Sequence, residues 1–239
     1  KKLPASFFIL SSMVNEFSKR VHKSTLENSD FNSHGTNHER PLTLSFEKFL
    51  EDIIRSKKII EDSLSKPVIG FRAPCFSLND DYLRILSQND YLFDSSKIEF
   101  NDHPLYGTLK IPDFKKRYSN IYTKNNFVEF EIPTQKFFNK NIPISGGGYM
   151  RIFPYQFLKY LLKKFIKNNS FFCFYLHPFE LSKKNNPVFL KKQNFKINTR
   201  FKIGRNSSII KLNKIIDFLQ NEGFEFINFS ELRNKFINE

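Results

Sequence analysis

The sequence predicts an α/β fold in which short parallel strands carry helices on their outer side and close, or nearly close, into a barrel. Three observations point there. Short apolar runs recur at residues 5–10, 68–71, 91–93, 127–132 and 171–176, the pattern of strands buried on both faces. Segments between the early runs place apolar residues at helical spacing, with charge on the other side, so strand and helix alternate as in successive βα units. No glycine-rich dinucleotide or phosphate-loop fingerprint is present, which favours a barrel over an open doubly wound sheet.

Taken in order, the run Ala5-Ser6-Phe7-Phe8-Ile9-Leu10 follows Pro4 and reads as a buried strand. Val14, Phe17 and Val21 then recur at helical spacing over residues 13–25, and 30–33 is a brief strand that delivers His34 to its carboxyl end. Ser45 is placed to cap a long amphipathic helix built on Phe46, Phe49, Leu50, Ile53, Ile54, Ile60 and Leu64. Residues 68–71 form another strand after Pro67, Asn79 caps a helix to about Asn89, and 91–93 is a third strand of the same kind. The stretch 97–126 has little periodicity and is expected to be an irregular connection lining a substrate groove. A strand over 127–132 leads toward Ser145-Gly146-Gly147-Gly148-Tyr149, which fits a close backbone approach to a ligand or a plain turn equally well. Pro154 starts a helix carrying Phe157, Leu158, Leu161, Leu162, Phe165 and Ile166, and 171–176 is the most apolar strand of the chain. After a second irregular stretch to Asn206, Ser207 caps a helix that Gly223 stops; a last strand at 224–227 and a closing helix at 230–236 follow.

A length of 239 residues suits one large α/β domain, here 1–239, with a well-buried core. With 40% hydrophobic and 26% charged residues the chain is of ordinary globular composition, not a disordered one. The formal net charge of +14 raises a polyanion partner. The basic doublets Lys57-Lys58, Lys115-Lys116, Lys163-Lys164, Lys183-Lys184 and Lys191-Lys192 are scattered, though, and read as a solvated surface, so no nucleic-acid partner is expected. Two cysteines, Cys75 and Cys173, set no disulfide framework and leave the redox compartment open. No apolar run approaches the roughly 18 residues of a membrane span.

The residues that invite chemistry stand just after predicted strands. His34 and His38 are four apart across Gly35, so one turn of chain can aim both imidazoles at a single divalent cation. Arg72 and Pro74 follow the strand ending at Phe71; His177 and Pro178 follow the one ending at Leu176. In a parallel sheet such ends meet on one side.

Several spaced motifs together make the chain resemble the polysaccharide deacetylases, carbohydrate esterases that remove N-acetyl groups from amino sugars, and in particular a branch associated with bacterial exopolysaccharide loci. They are Ala5-Ser6-Phe7-Phe8, Ser33-His34-Gly35 with His38, Gly70-Phe71-Arg72-Ala73-Pro74, Asp94-Ser95-Ser96, Ser145 to Tyr149, Phe174 to Pro178 and Gly204-Arg205-Asn206-Ser207. The resemblance implies a distorted (β/α) barrel of about seven strands. It implies that His34 and His38 bind a divalent metal, commonly zinc, that His177 is the general acid and that Arg72 orients a base carboxylate. A backbone N–H near Cys75 would help hold the oxyanion, and Asp94, His103, Tyr149 and Pro74 are weaker candidates for the substrate groove. The partner implied is a polysaccharide or oligosaccharide with N-acetylated amino sugars. The family's aspartate motif, which supplies the third metal ligand and the base, belongs on a strand preceding Ala5; the expectation is therefore a domain lacking its first strand, weak in metal binding and nearly inactive. Two other readings compete: a cysteine hydrolase using Cys75 with His177 as base, and a non-catalytic sugar-binding relic of the same barrel.

Overall fold

The computed structural model describes residues 3–100, 103–182, 199 and 202–237. Two compact units emerge, one formed by Lys1–Ile132 with Phe226–Glu239 and the other by Pro133–Glu225.

The first unit is built on a seven-stranded sheet of order β1-β2-β3-β4-β7-β6-β5. Strands β1 (Ala5–Ile9), β2 (Ser29–Ser33), β3 (Gly70–Phe71), β4 (Phe93–Asp94) and β7 (Phe127–Phe130) are mutually parallel; β6 (Ile121–Lys124) and β5 (Lys115–Tyr118) extend the sheet antiparallel. The register is what positions a site. Ile9 pairs with Ser33, Ser33 with Phe71, Phe71 with Asp94 and Asp94 with Glu129, so the parallel strands end on one line. His34, Arg72 and Ser95 are the next residues along that line.

Side chains alternate about this sheet as the period of two requires. Phe7, Phe31 and Phe71 face helix α3 (Phe46–Leu64), whose buried Phe49, Ile53 and Ile60 complete the main core. On the other face Phe8, Phe93 and Phe130 gather around Phe229 of the closing helix, with Phe130 and Phe229 rings 4.7 Å apart. Gly70 belongs to this face, and a Cβ there would lie 2.1 Å from the Phe93 ring, so only glycine lets the ring fill that side. Ser45 caps α3 by accepting from the Lys48 N–H, and Asn79 caps α4 (Asp80–Gln88) by accepting from the Tyr82 N–H, both as expected.

Four local expectations are corrected. The segment 13–25 is not one helix but two short ones, α1 (Val14–Ser18) and α2 (Lys23–Asn28). The stretch 97–126 is not wholly irregular, because it contains β5 and β6; their short, partly polar sequences lack the apolar run that marks a doubly buried strand. Residues 171–176 form no ladder: Tyr175 makes an isolated parallel bridge to Gly146 and nothing more of a strand. Residues 224–227 are not a strand either, and lead as coil into the last helix.

The second unit holds a hairpin of β8 (Thr134–Phe137) and β9 (Lys140–Pro143), then α5 (Gly147–Ile152), α6 (Tyr155–Ile166), α7 (Pro178–Leu181) and α8 (Ser208–Asn221). Leu158, Leu161, Leu162 and Phe165 form the buried stripe of α6. The carbonyls that end α5 are satisfied by Lys211, whose Nζ donates to Met150, Arg151 and Phe153 at 3.2, 3.0 and 2.8 Å. Gly223 takes φ +86 just past α8, the left-handed stop expected of it. The doublets Lys183-Lys184 and Lys191-Lys192, and most of the second irregular stretch, lie outside the described residues.

Candidate active site

The end of β2 turns sharply at Gly35, φ +76, where a Cβ would meet the Asp52 carboxylate at 2.8 Å. Asp52 accepts from the Thr36 N–H at 3.1 Å and so fastens the loop to α3. The loop brings the His34 and His38 rings to a centroid separation of 5.0 Å, close enough for one ion to serve both. His38 holds a left-handed backbone, φ 61, a conformation histidine tolerates better than most residues. His34 donates from Nδ1 to the Arg72 carbonyl at 2.6 Å, which leaves its lone pair on Nε2. A histidine held this way by a backbone carbonyl is oriented as metal ligands commonly are. Among the described residues no group of three or more His, Cys, Asp or Glu side chains could hold a metal ion. The donor chemistry therefore fits a divalent cation with two imidazoles and is a ligand short of a catalytic set.

Arg72 is buried at the end of β3. Its Nε donates to the Ser95 carbonyl at 2.9 Å and a terminal nitrogen to Ser95 Oγ at 2.7 Å, while its guanidinium lies 4.3 Å from the Phe8 ring centroid. Ser95 Oγ passes its own proton to the Phe130 carbonyl at 2.8 Å, so one serine couples Arg72 to β7. After Ala73 the chain makes a strained turn: Pro74 is buried, and Cys75 and Phe76 both take positive φ, 55 and 50. Among the described residues the Cys75 N–H has no backbone acceptor in this turn. Burial pushes the Cys75 thiol above its ordinary value, which opposes thiolate formation and argues against the cysteine-hydrolase reading. His103 stacks on Tyr106 with ring centroids 4.0 Å apart, and Tyr106 in turn meets Phe76 at 5.2 Å, so His103 flanks the same turn.

Asp94 lies deeper than a groove residue should. It is fully buried, its two oxygens accepting from the Ser96 N–H and Oγ at 2.8 and 2.9 Å. Beside it Glu129, unremarked by its local sequence, accepts from the N–H groups of Ser96 and Lys97 at 3.1 and 2.8 Å. Desolvation drives Asp94 up to about 6 despite those hydrogen bonds and Arg72, and desolvation with the adjoining Asp94 carboxylate drives Glu129 well above its usual range. Both carboxyl groups accept from the Ser96 N–H and so sit together beneath the strand ends.

Tyr149 and His177 belong to the second unit. Gly147 opens α5 and donates its N–H to the Tyr175 carbonyl at 2.9 Å, setting Tyr149 on the helix beside the segment that delivers His177. The glycine run makes a close approach, but to the protein's own side chains: a Cβ on Gly146 would lie 2.5 Å from the Tyr175 hydroxyl and one on Gly147 2.0 Å from Glu180 Oε2. His177 is the N-cap of α7, its N–H donating to Glu180 Oε2 at 2.8 Å, and its Nδ1 stands 3.4 Å from the same oxygen. Glu180 is buried, and Arg151 donates from Nε to its other oxygen at 3.2 Å. Burial alone would raise the Glu180 carboxyl; the hydrogen bonds from His177 together with the charges of His177 and Arg151 outweigh it and hold the group below the ordinary carboxylate range. Glu180 and Arg151 were missed by sequence reasoning, though Glu three residues after a helix-capping position is a recognisable signal.

Residues 1–93 match the family model described as polysaccharide deacetylase, and residues 95–233 the one described as domain of unknown function (DUF3473). A peptidoglycan deacetylase from Helicobacter pylori is 22% identical over 104 residues, which are 44% of this chain and 36% of that protein. The fold matches a Mycobacterium smegmatis protein provisionally assigned as a polysaccharide deacetylase, with TM-score 0.61, 13% identity, and coverage of 98% of this chain and 71% of that one. It also matches a CE4 family pseudoenzyme from Bacillus anthracis, with TM-score 0.53, 14% identity, and coverage of 97% and 56%. The match thus spans about a third of the curated relative's length. With both halves matched in order on a sheet of parallel strands, the chain belongs to the polysaccharide deacetylase family, has the distorted (β/α) barrel class of fold found in CE4 proteins, and carries a DUF3473 region from residue 95 onward.

Proposed function

We propose that this chain carries the metal-binding and proton-donating groups of a hydrolase that removes N-acetyl groups from the amino sugars of a polysaccharide. The observation that carries the reading is the register of the strand ends, which sets His34, with His38 beside it, next to Arg72 and the strained Pro74-Cys75 turn. The two neutral imidazoles would hold the cation, and zinc suits them. When bound, a divalent cation supplies Lewis acidity toward an acyl oxygen. The Cys75 N–H, in the left-handed turn, donates to the oxygen on which negative charge develops. His177 gives a proton to the departing amine, and Glu180, backed by Arg151, holds its ring and stabilises the imidazolium. Arg72 orients a carboxylate base through a charge-assisted contact. Pro74 and His103 are the first unit's candidates for contact with the sugar and Tyr149 the second unit's, whereas Asp94 is buried and acts only as a support.

The test is acetate release from N-acetylated chitooligosaccharide or peptidoglycan by the complete gene product. We expect loss with chelator, recovery with zinc, and a fall of about 10²-fold or more in kcat for His177→Ala. In the 239-residue chain, two ligands predict zinc binding weaker than micromolar; submicromolar affinity by titration would sink the two-ligand account. That no third donor joins the two imidazoles among the described residues favours a second reading, a sugar-binding relic without turnover. Glycan binding by the complete gene product with no acetate release under any metal would establish it.

A further inference from the structure

The net charge is not spread along this chain. Residues 132–216 hold 17 of the 38 Lys and Arg and, in Glu180, one of the 24 Asp and Glu; that stretch is +16 and the rest of the molecule −2. The scattered doublets conceal this, because what distinguishes the stretch is the near absence of acids. The asymmetry also falls on structure, since the stretch lies almost wholly in the second unit.

Among the described residues, five of these lysines share a face with exposed aromatic groups. Gln156, Tyr160, Lys163, Lys164 and Lys167 are exposed on α6 and recur at helical spacing, opposite its buried leucines. Lys164 donates to the Lys136 carbonyl at 3.3 Å, joining this stripe to the β8–β9 hairpin, whose Lys136 and Lys140 are also exposed. At the hairpin tip Phe138 is 85% exposed. Its backbone is left-handed, φ 51, where Asn or Gly is the ordinary choice and a bulky residue is strained. Its ring meets the edge of the adjacent Phe137 ring, centroids 4.7 Å apart, and is otherwise turned to solvent.

We propose that this face docks on an anionic lipid bilayer, the lysines meeting acidic headgroups and Phe138 entering the interface as a wedge. Long-range attraction from the basic stripe and shallow burial of one aromatic ring are complementary to that surface. A soluble polyanion would use the lysines and leave the ring without a role.

The experiment is co-sedimentation with vesicles of phosphatidylcholine alone or mixed with phosphatidylglycerol. Binding is expected only to the mixed vesicles, with release at high salt. The variant Lys163→Glu/Lys164→Glu should bind at least about 30-fold more weakly, and Phe138→Asn, which suits the left-handed tip, about tenfold more weakly. Circular dichroism checks that both surface variants stay folded. Failure to bind mixed vesicles at low salt overturns the proposal. So does equal binding by wild type and Phe138→Asn, which would assign the face to a soluble polyanion.

Discussion

Asp94 and Glu129 place two carboxyl groups where water cannot reach, and that burial, with the Asp94 carboxylate adding to it at Glu129, gives a pH dependence of definite sign. Both hold their proton more tightly in the folded chain than in the unfolded one. Asp94 therefore contributes stability that is complete below the ordinary aspartate value of 3.8 and is lost as pH rises through about 6, with Glu129 in the same direction. Glu129→Gln removes the like charge, while its amide keeps an oxygen for the N–H groups of Ser96 and Lys97. The variant should be more stable than wild type near pH 7.5, on the order of 2 kcal/mol, and its Tm should lose the part of its pH slope that Glu129 contributes, keeping the part that buried Asp94 sets; an unchanged slope in thermal melts would mean that Glu129 is not a source. Glu180 gives the opposite case, a carboxylate held ionised by its partners. Glu180→Gln strands buried Arg151, so urea melts should show a loss of about 3–5 kcal/mol, and the ¹⁵N shifts of the His177 ring should report a changed tautomer balance. Arg72 and His177 stand out in the sequence because each comes just after a short apolar run, and His34 and His38 because of their spacing across Gly35; their roles are proposals. Glu129 does not stand out, since its importance comes from which groups tertiary folding brings beside it, whereas Glu180 carries a local signal three residues after the capping His177.

Helices whose signals are local came through at the level of single caps. Ser45 and α3 are the clearest instance: the side chain accepts from Lys48 and an apolar stripe follows at once. Ser45→Ala should cost about 1 kcal/mol, read from chemical denaturation. Strands fared differently because parallel strands of two residues, such as β3 and β4, present too few positions for any period to show. The run at 171–176 misled for a related reason. Hydrophobicity marks burial, and only the bridge from Tyr175 to Gly146 became sheet. The same junction explains the glycine run, which turned out to admit Glu180 and Tyr175 against the start of α5. Gly147→Ala would drive a methyl group into Glu180 and should destabilise by about 1–3 kcal/mol; wild-type stability for this variant would show that the contact relaxes freely.

Across the whole molecule, composition gave the net charge but not where it acts, because a total cannot distinguish a mixed surface from a divided one. The division has an energetic consequence that differs between two helices of similar kind. On α3 acids and bases alternate, and Lys58 pairs with Asp62 at 3.8 Å. On α6 Lys159, Lys163 and Lys164 stand within two turns with no acidic residue in the helix. Like charges at such spacing repel by a few tenths of a kcal/mol per pair, and about 8 Å of Debye length at physiological salt screens them only in part. Raising the salt should therefore increase hydrogen-exchange protection along α6, while α3, which loses an attraction, stays level or loses protection slightly. The comparison is internal to one sample, so nonspecific salt effects on the chain cancel. Parallel responses in the two helices would mean that the charge division carries no measurable strain.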